Sequence, residues 1–139
     1  MAFLQWSNSY ALNLKDVDEQ HEKLFELVNT LYDSGVNGDE QNSLGIILDE
    51  LIDYTVYHFE TEEKLFIKHA YPKYNQHKEQ HDDLTKQVLT LQEQFRAKKV
   101  TIAFDVLDFL SDWLKKHTME SDLEFAVFLK DRIYPNAQL

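Results

Sequence analysis

Apolar and histidine positions in this chain recur in steps of three and four along four long stretches. His21, Leu24, Phe25, Val28, Leu31 and Tyr32 make one stripe, and Leu44, Leu48, Leu51, Thr55, His58, Glu62 and Leu65 make a second. A third runs through His77, His81, Leu84, Val88, Leu91 and Phe95. An α-helix turns once every ~3.6 residues, so such spacing keeps all members of a stripe on one face. The pattern predicts helices at about 18–35, 40–68, 75–97 and 101–133, preceded by an arm, 1–15, that sustains no period and is pinned by Trp6 and Tyr10. Asp16 or Asp18 is expected to cap the first helix, because a short side-chain oxygen can accept from its unpaired N–H groups. Gly35 and Gly38 should close that helix, Gly45 should weaken the second near its start, and Tyr71-Pro72-Lys73 should end the second.

The fourth stretch changes phase. Ile102, Val106, Leu110, Trp113 and His117 share a face, but continuing that phase would bury Glu120, Ser121, Glu124 and Phe128. Advancing it by one residue buries Asp122, Phe125, Ala126, Leu129 and Ile133 instead, which is a sound core. The pattern therefore implies an extra residue between His117 and Asp122, as in a π-bulge or a local break, and such bulges gather at functional sites. Helices joined by short connections pack as antiparallel neighbours. The expected fold is all-α: one domain of 139 residues, an up-down-up-down antiparallel four-helix bundle with an N-terminal arm and a π-bulge or break in the last helix.

Composition supports this and narrows the function. Three Gly and two Pro leave few turns, and 43% hydrophobic with 13% aromatic residues suits a folded core. A formal charge of -11 repels phosphate backbones and anionic lipid, so no nucleic acid partner and no membrane insertion are expected. The N-terminal residues lack the basic and apolar regions of a signal peptide, and the expected location is cytoplasmic. There is no cysteine, which removes disulfides, thiolate zinc sites and Cys-ligated clusters. A metal held here takes nitrogen and oxygen ligands.

The candidates for that role are His21, His58, Glu62, His77, His81, His117 and Asp122, which the bundle topology brings to one end. A lone histidine on an apolar face is more often a hydrogen-bonded core residue than a ligand. Two carboxylates on the same inward lines change that balance, because they are almost never buried without a compensating cation. His69, beside the turn and without a spaced partner, reads as a surface residue; Glu60 and Glu63 are rotated off the His58 line and read as solvated. Trp113 reads as a wall of the site. Five imidazoles and two carboxylates are too many ligands for one ion and suit two if both carboxylates bridge. With a bridging oxide or hydroxide, two octahedral ions divide the histidines three and two, which leaves one position open.

A lone His, then His-x-x-x-Glu, His-x-x-x-His and His-x-x-x-x-Asp, in this order over residues 21 to 122, resembles the single-domain bacterial form of the hemerythrin family. The resemblance implies two iron ions, a non-haem diiron, oxo- or hydroxo-bridged centre that binds O2 reversibly. It places His77, His81 and His117 on the six-coordinate iron and His21 and His58 on the five-coordinate iron, with Glu62 and Asp122 bridging. By position it implies an O2 pocket of Leu24, Phe25, Phe59, Trp113, Leu114 and Thr118, where Thr118 departs from the aliphatic residue common in the family. The expected role is oxygen storage, transport or sensing, and any protein partner or reductase is not indicated. The alternative is a diiron enzyme with oxidase, peroxidase or nitric oxide chemistry at the same open iron. Carboxylate-rich diiron enzymes build on Glu-x-x-His, and none of the six histidines here has a Glu three residues earlier.

Overall fold

A computed structural model describes residues 4–38, 40–97 and 104–133. A 3-10 turn at Asn8–Tyr10 leads into helices α1 (Lys15–Val36), α2 (Gln41–Lys68), α3 (Tyr74–Arg96) and α4 (Phe104–His117). A π-helical turn, Thr118–Asp122, joins α4 to α5 (Leu123–Ile133). The chain is an all-α four-helix bundle whose fourth rod is α4, the π-turn and α5 together. Of the fourth stripe, Ile102 and the side chains of Val106 and Ile133 lie outside the described residues.

The expected stripes face inward. Leu24, Phe25, Val28, Leu31, Leu48, Leu51, Leu84, Val88, Phe95, Leu107, Leu110 and Leu114 belong to one buried core, and Phe66, Tyr71, Phe125 and Leu129 form a smaller cluster. On α2, Leu65 is only half-buried and Phe66 is fully buried, because a step of four from Glu62 stays on the inward line. Leu91 is likewise half-buried, a turn from the buried Phe95. In the fourth rod Asp122, Phe125, Ala126 and Leu129 are buried while Glu120 and Glu124 are exposed. The advanced phase is the one adopted, and the π-turn supplies the extra residue.

Local ends differ from expectation in instructive ways. Helix α1 begins at Lys15 with Leu14 as a cap that makes no side-chain bond, so neither Asp16 nor Asp18 is its N-cap. Asp18 instead reaches back: its carboxylate accepts from the backbone N–H groups of Leu12 (2.8 Å) and Asn13 (3.0 Å), tying the arm to the helix. The arm is fixed further by Asn29, whose amide exchanges two hydrogen bonds with the Leu4 backbone (2.6 and 2.7 Å). Trp6 and Tyr10 both meet Phe25 edge-on. Gly35 lies within α1, and the reversal falls at Gly38, at φ 71°. Gly45 has a reason in packing: a Cβ there would come 3.1 Å from the Phe95 ring of α3.

Helix α2 ends before its proline. Tyr71 N–H donates to Phe66 O (2.9 Å) and Ala70 N–H to Ile67 O (3.2 Å), with Ala70 left-handed at φ 50°. These are the 6→1 and 5→2 bonds of a Schellman motif, and the Tyr71 and Phe66 rings supply its apolar contact at 5.3 Å. Phe66 lies one turn beyond Glu62, so this stop also anchors the end of the bundle where the polar residues gather. No helix among the described residues is long and apolar enough to cross a membrane.

Candidate metal centre

Each of the four rods contributes to one buried polar cluster. α1 supplies His21, α2 His58 and Glu62, α3 His77 and His81, and the fourth rod His117 and Asp122; all seven are at most 5% exposed. His58/Glu62 and His77/His81 are four apart and align by ordinary helical geometry. His117 and Asp122 are five apart and align through the π-turn, with Asp122 Oδ1 3.1 Å from His117 Nε2.

The two carboxylates divide the histidines into two groups. Asp122 Oδ1 lies 2.8 Å from His77 Nε2 and 3.1 Å from His117 Nε2, whereas Oδ2 lies 2.9 Å from His21 Nε2. Glu62 Oε2 faces His77 and His81 at 3.3 and 3.5 Å, and Oε1 faces His58 in close contact and His21 at 3.4 Å. Two sets of converging ligand atoms result, Glu62, His77, His81, His117, Asp122 and His21, His58, Glu62, Asp122. Glu62 and Asp122 belong to both.

Protonation shows what this cluster is suited to hold. His58 Nδ1 donates to Gln20 Oε1 (2.7 Å), His81 Nδ1 to Glu63 Oε2 (3.1 Å) and His117 Nδ1 to Gln80 Oε1 (3.0 Å). A neutral imidazole that donates at Nδ1 carries a lone pair at Nε2. The Nε2 atoms nevertheless approach one another, at 2.9 Å for His77 with His117 and 3.1 Å for His81 with His117. The four carboxylate oxygens of Glu62 and Asp122 are buried and make no hydrogen bond. Converging lone pairs and orphaned carboxylates are costly unless cations stand between them. The donor set, all Nε2 and carboxylate oxygen, suits iron.

Without a metal, protons take up part of that role. Burial works against charge on His21 and His77, but the carboxylates of Asp122 and Glu62 push them up to about 10 and about 9. For His81 the same opposition ends with a raised value, and for His58 burial wins and lowers it. Burial likewise opposes ionisation of Glu62, yet His58, His21 and His77 hold it well below the usual carboxylate range. Asp122 is held low by His117 and His21 against burial and the Glu62 charge. A metal-free cluster of this kind keeps both carboxylates anionic with protons held on His21 and His77, and metal binding displaces those protons.

Aromatic rings close the site on both sides. Phe59 stacks on His81 (3.9 Å, 5°) and Trp113 on His117 (4.4 Å, 12°), while Phe66 lies 4.5 Å from His77. Beside Phe59 and Trp113 is an apolar cavity of about 30 Å³. Leu24, Leu114, Thr55 and Val88 are among its lining residues, and the Thr55 hydroxyl is turned away to donate to Leu51 O (2.7 Å). Of the six residues expected around a ligand pocket, Leu24, Phe59, Trp113 and Leu114 line this cavity. Phe25 faces Trp6 and Tyr10, and Thr118 is fully buried but does not line it.

His69 caps the end of α2, partly exposed and away from the cluster. Glu63 was expected to be solvated and is not: it is 19% exposed and bonded to His81. Gln20, Glu63 and Gln80 each adjoin a cluster residue in sequence and reach a histidine on a neighbouring helix. Their spacing carries no periodic signal, since Glu22 beside His21 and Asp82 beside His81 match it as well.

A helical bundle with two sets of histidines sharing two carboxylates at one end defines a dinuclear, nitrogen- and oxygen-ligated metalloprotein. The chain belongs to the hemerythrin family of non-haem diiron, O2-binding proteins: the Hemerythrin HHE cation binding domain matches residues 12–129. It is similar to a bacteriohemerythrin of Methylococcus capsulatus, 35% identical over 88% of this chain and 93% of the relative. A hemerythrin-like protein of Naegleria gruberi is 32% identical over 86% of this chain and 88% of its own. The crystal structure of a wild-type hemerythrin superposes with a TM-score of 0.87 at 33% identity, covering 91% of this chain and 97% of that one.

Proposed function

We propose that the chain binds O2 reversibly for storage, transport or sensing, with His77, His81 and His117 on one iron, His21 and His58 on the other, and Glu62 and Asp122 bridging. One observation carries this reading: taken together, Glu62 Oε2 and Asp122 Oδ1 face three histidines, His77, His81 and His117, while Glu62 Oε1 and Asp122 Oδ2 face two, His21 and His58. The two-histidine group has one protein donor fewer, and that asymmetry leaves room for a small exogenous ligand. When bound, the two irons supply the electrons that O2 takes up and returns on release.

The protein's own part is to hold the ligands and exclude water. Leu24, Phe59, Trp113 and Leu114 border a cavity without polar groups turned into it, and apolar cavities of this kind stay dry. Dryness favours release of intact O2 over loss of a reduced oxygen species to water. The same lining offers no acid, base or nucleophile, which favours binding over turnover. The six pocket candidates thus divide into four wall residues and two, Phe25 and Thr118, that do not line the cavity.

The test is to reduce the iron-loaded protein anaerobically, admit O2 and then remove it, recording visible spectra and iron content. Two irons per chain and a colour that appears and fades over repeated cycles are expected. A single irreversible oxidation would instead indicate an enzyme, and a colourless zinc protein would refute both.

A further inference from the structure

Three histidines of the cluster donate at Nδ1 to a side chain, and one of the three acceptors differs in charge from the other two. His58 and His117 meet the neutral amide oxygens of Gln20 and Gln80, but His81 meets the carboxylate of Glu63 at 3.1 Å. The other Glu63 oxygen lies 3.5 Å from Lys78 Nζ, and Lys78 also donates to both oxygens of Asp82 at 3.0 Å. One ammonium is thus shared between two carboxylates. It offsets only part of the Glu63 charge. The His81 ring is held in place by parallel stacking on Phe59, so its Nε2 cannot turn from the cluster without breaking two contacts.

A carboxylate draws the Nδ1 proton more strongly than an amide does, which raises the basicity of the opposite nitrogen. Charge that accumulates at His81 Nε2 is delivered to the three-histidine side of the cluster alone. Gln20 and Gln80 orient their rings without adding charge.

We propose that Glu63 is a positioning residue that acts through His81 to make this nitrogen the strongest donor of the centre, lowering the reduction potential of the bound metal pair, with Lys78 setting how far. The proposal rests on the diiron reading above, extending it to a residue that touches no metal.

The experiment compares wild type, Glu63→Gln, Lys78→Gln and Gln20→Glu in the full chain. Glu63→Gln keeps an acceptor for His81 and removes the charge. Two irons per chain with a raised potential are expected for Glu63→Gln, and lowered potentials for Lys78→Gln and Gln20→Glu. Co(II) affinity, measured by chelator competition on the metal-free protein, should fall about tenfold in Glu63→Gln. A Glu63→Gln protein with wild-type potential and wild-type Co(II) affinity overturns the proposal, as does one that loses helical content, since that marks a role in folding. If the wild type takes up no iron, the diiron reading fails by itself. The Co(II) comparison then decides on Glu63: unchanged affinity refutes the proposal and a tenfold loss upholds its donor-strength argument.

Discussion

Asp122 Oδ1 stands 3.1 Å from His117 Nε2 although the two residues are five apart on one continuous helical rod. In an unbroken α-helix, five steps turn a side chain about 140° from its starting direction, and four steps about 40°. The π-turn at Thr118–Asp122 absorbs the difference, bringing the second shared carboxylate onto the face that carries His117.

Deleting the exposed Glu120 should therefore leave the metal site in place, because a straight helix would present Asp122 four residues after His117. Inserting an alanine after Glu120 should turn Asp122, Phe125 and Leu129 off the inward face. Iron content near that of wild type for the deletion, and a loss of bound iron with a lowered thermal midpoint for the insertion, are the expected results. Metal analysis and circular dichroism read both.

His77→Ala should reduce bound iron from two per chain to one or fewer, since His77 Nε2 lies within 3.3 Å of both shared carboxylates. His69→Ala should keep both irons, because His69 lies at the end of α2 outside the cluster. Equal losses in the two variants would contradict this division of the histidines.

Thr118 is fully buried and its hydroxyl makes no hydrogen bond. A buried hydroxyl without a partner costs about 1–3 kcal/mol. Thr118→Val, nearly the same shape, should raise the unfolding free energy by about 1 kcal/mol in a denaturant titration.

Ala70 sits at φ 50° in the Schellman stop of α2. The left-handed conformation costs a residue with a Cβ about 1–2 kcal/mol, and glycine recovers most of that while losing some through its freer unfolded chain. A net gain of about 0.5–1 kcal/mol is expected for Ala70→Gly, read as a higher thermal midpoint at unchanged iron content.

Chelating the metal should lower the thermal midpoint, and returning iron should restore it in a concentration-dependent way, because a ligand that binds only the folded chain stabilises it by mass action. The cluster left behind carries Glu62 and Asp122 as buried anions whose oxygens make no hydrogen bond. A midpoint insensitive to metal would mean that the seven residues satisfy one another.

Much of this was legible because hydrophobic period and ligand spacing are both written along single helices. The stripes through Leu24, Leu48, Leu84 and Leu110 gave the bundle, and the seven candidate ligand positions lay on those stripes. Even the π-turn showed, since only a phase advance buries Phe125 and Leu129 together with Asp122. What lay hidden was contact between helices. Asp18 looked like a cap and proved to be an anchor for the arm, because the helix starts earlier without a side-chain cap. Glu63 looked solvated, since its place beside His81 depends on how α2 and α3 approach.

The sequence by itself determined which residues face inward and which seven meet, because helical geometry converts spacing into direction. Only the tertiary structure decided which carboxylate oxygen faces which histidine, which Nδ1 finds an amide and which a carboxylate, and that a dry cavity lies beside Phe59 and Trp113. Those relations are set by the separation and rotation of neighbouring helices, quantities fixed by packing across the whole core and carried by no single stripe.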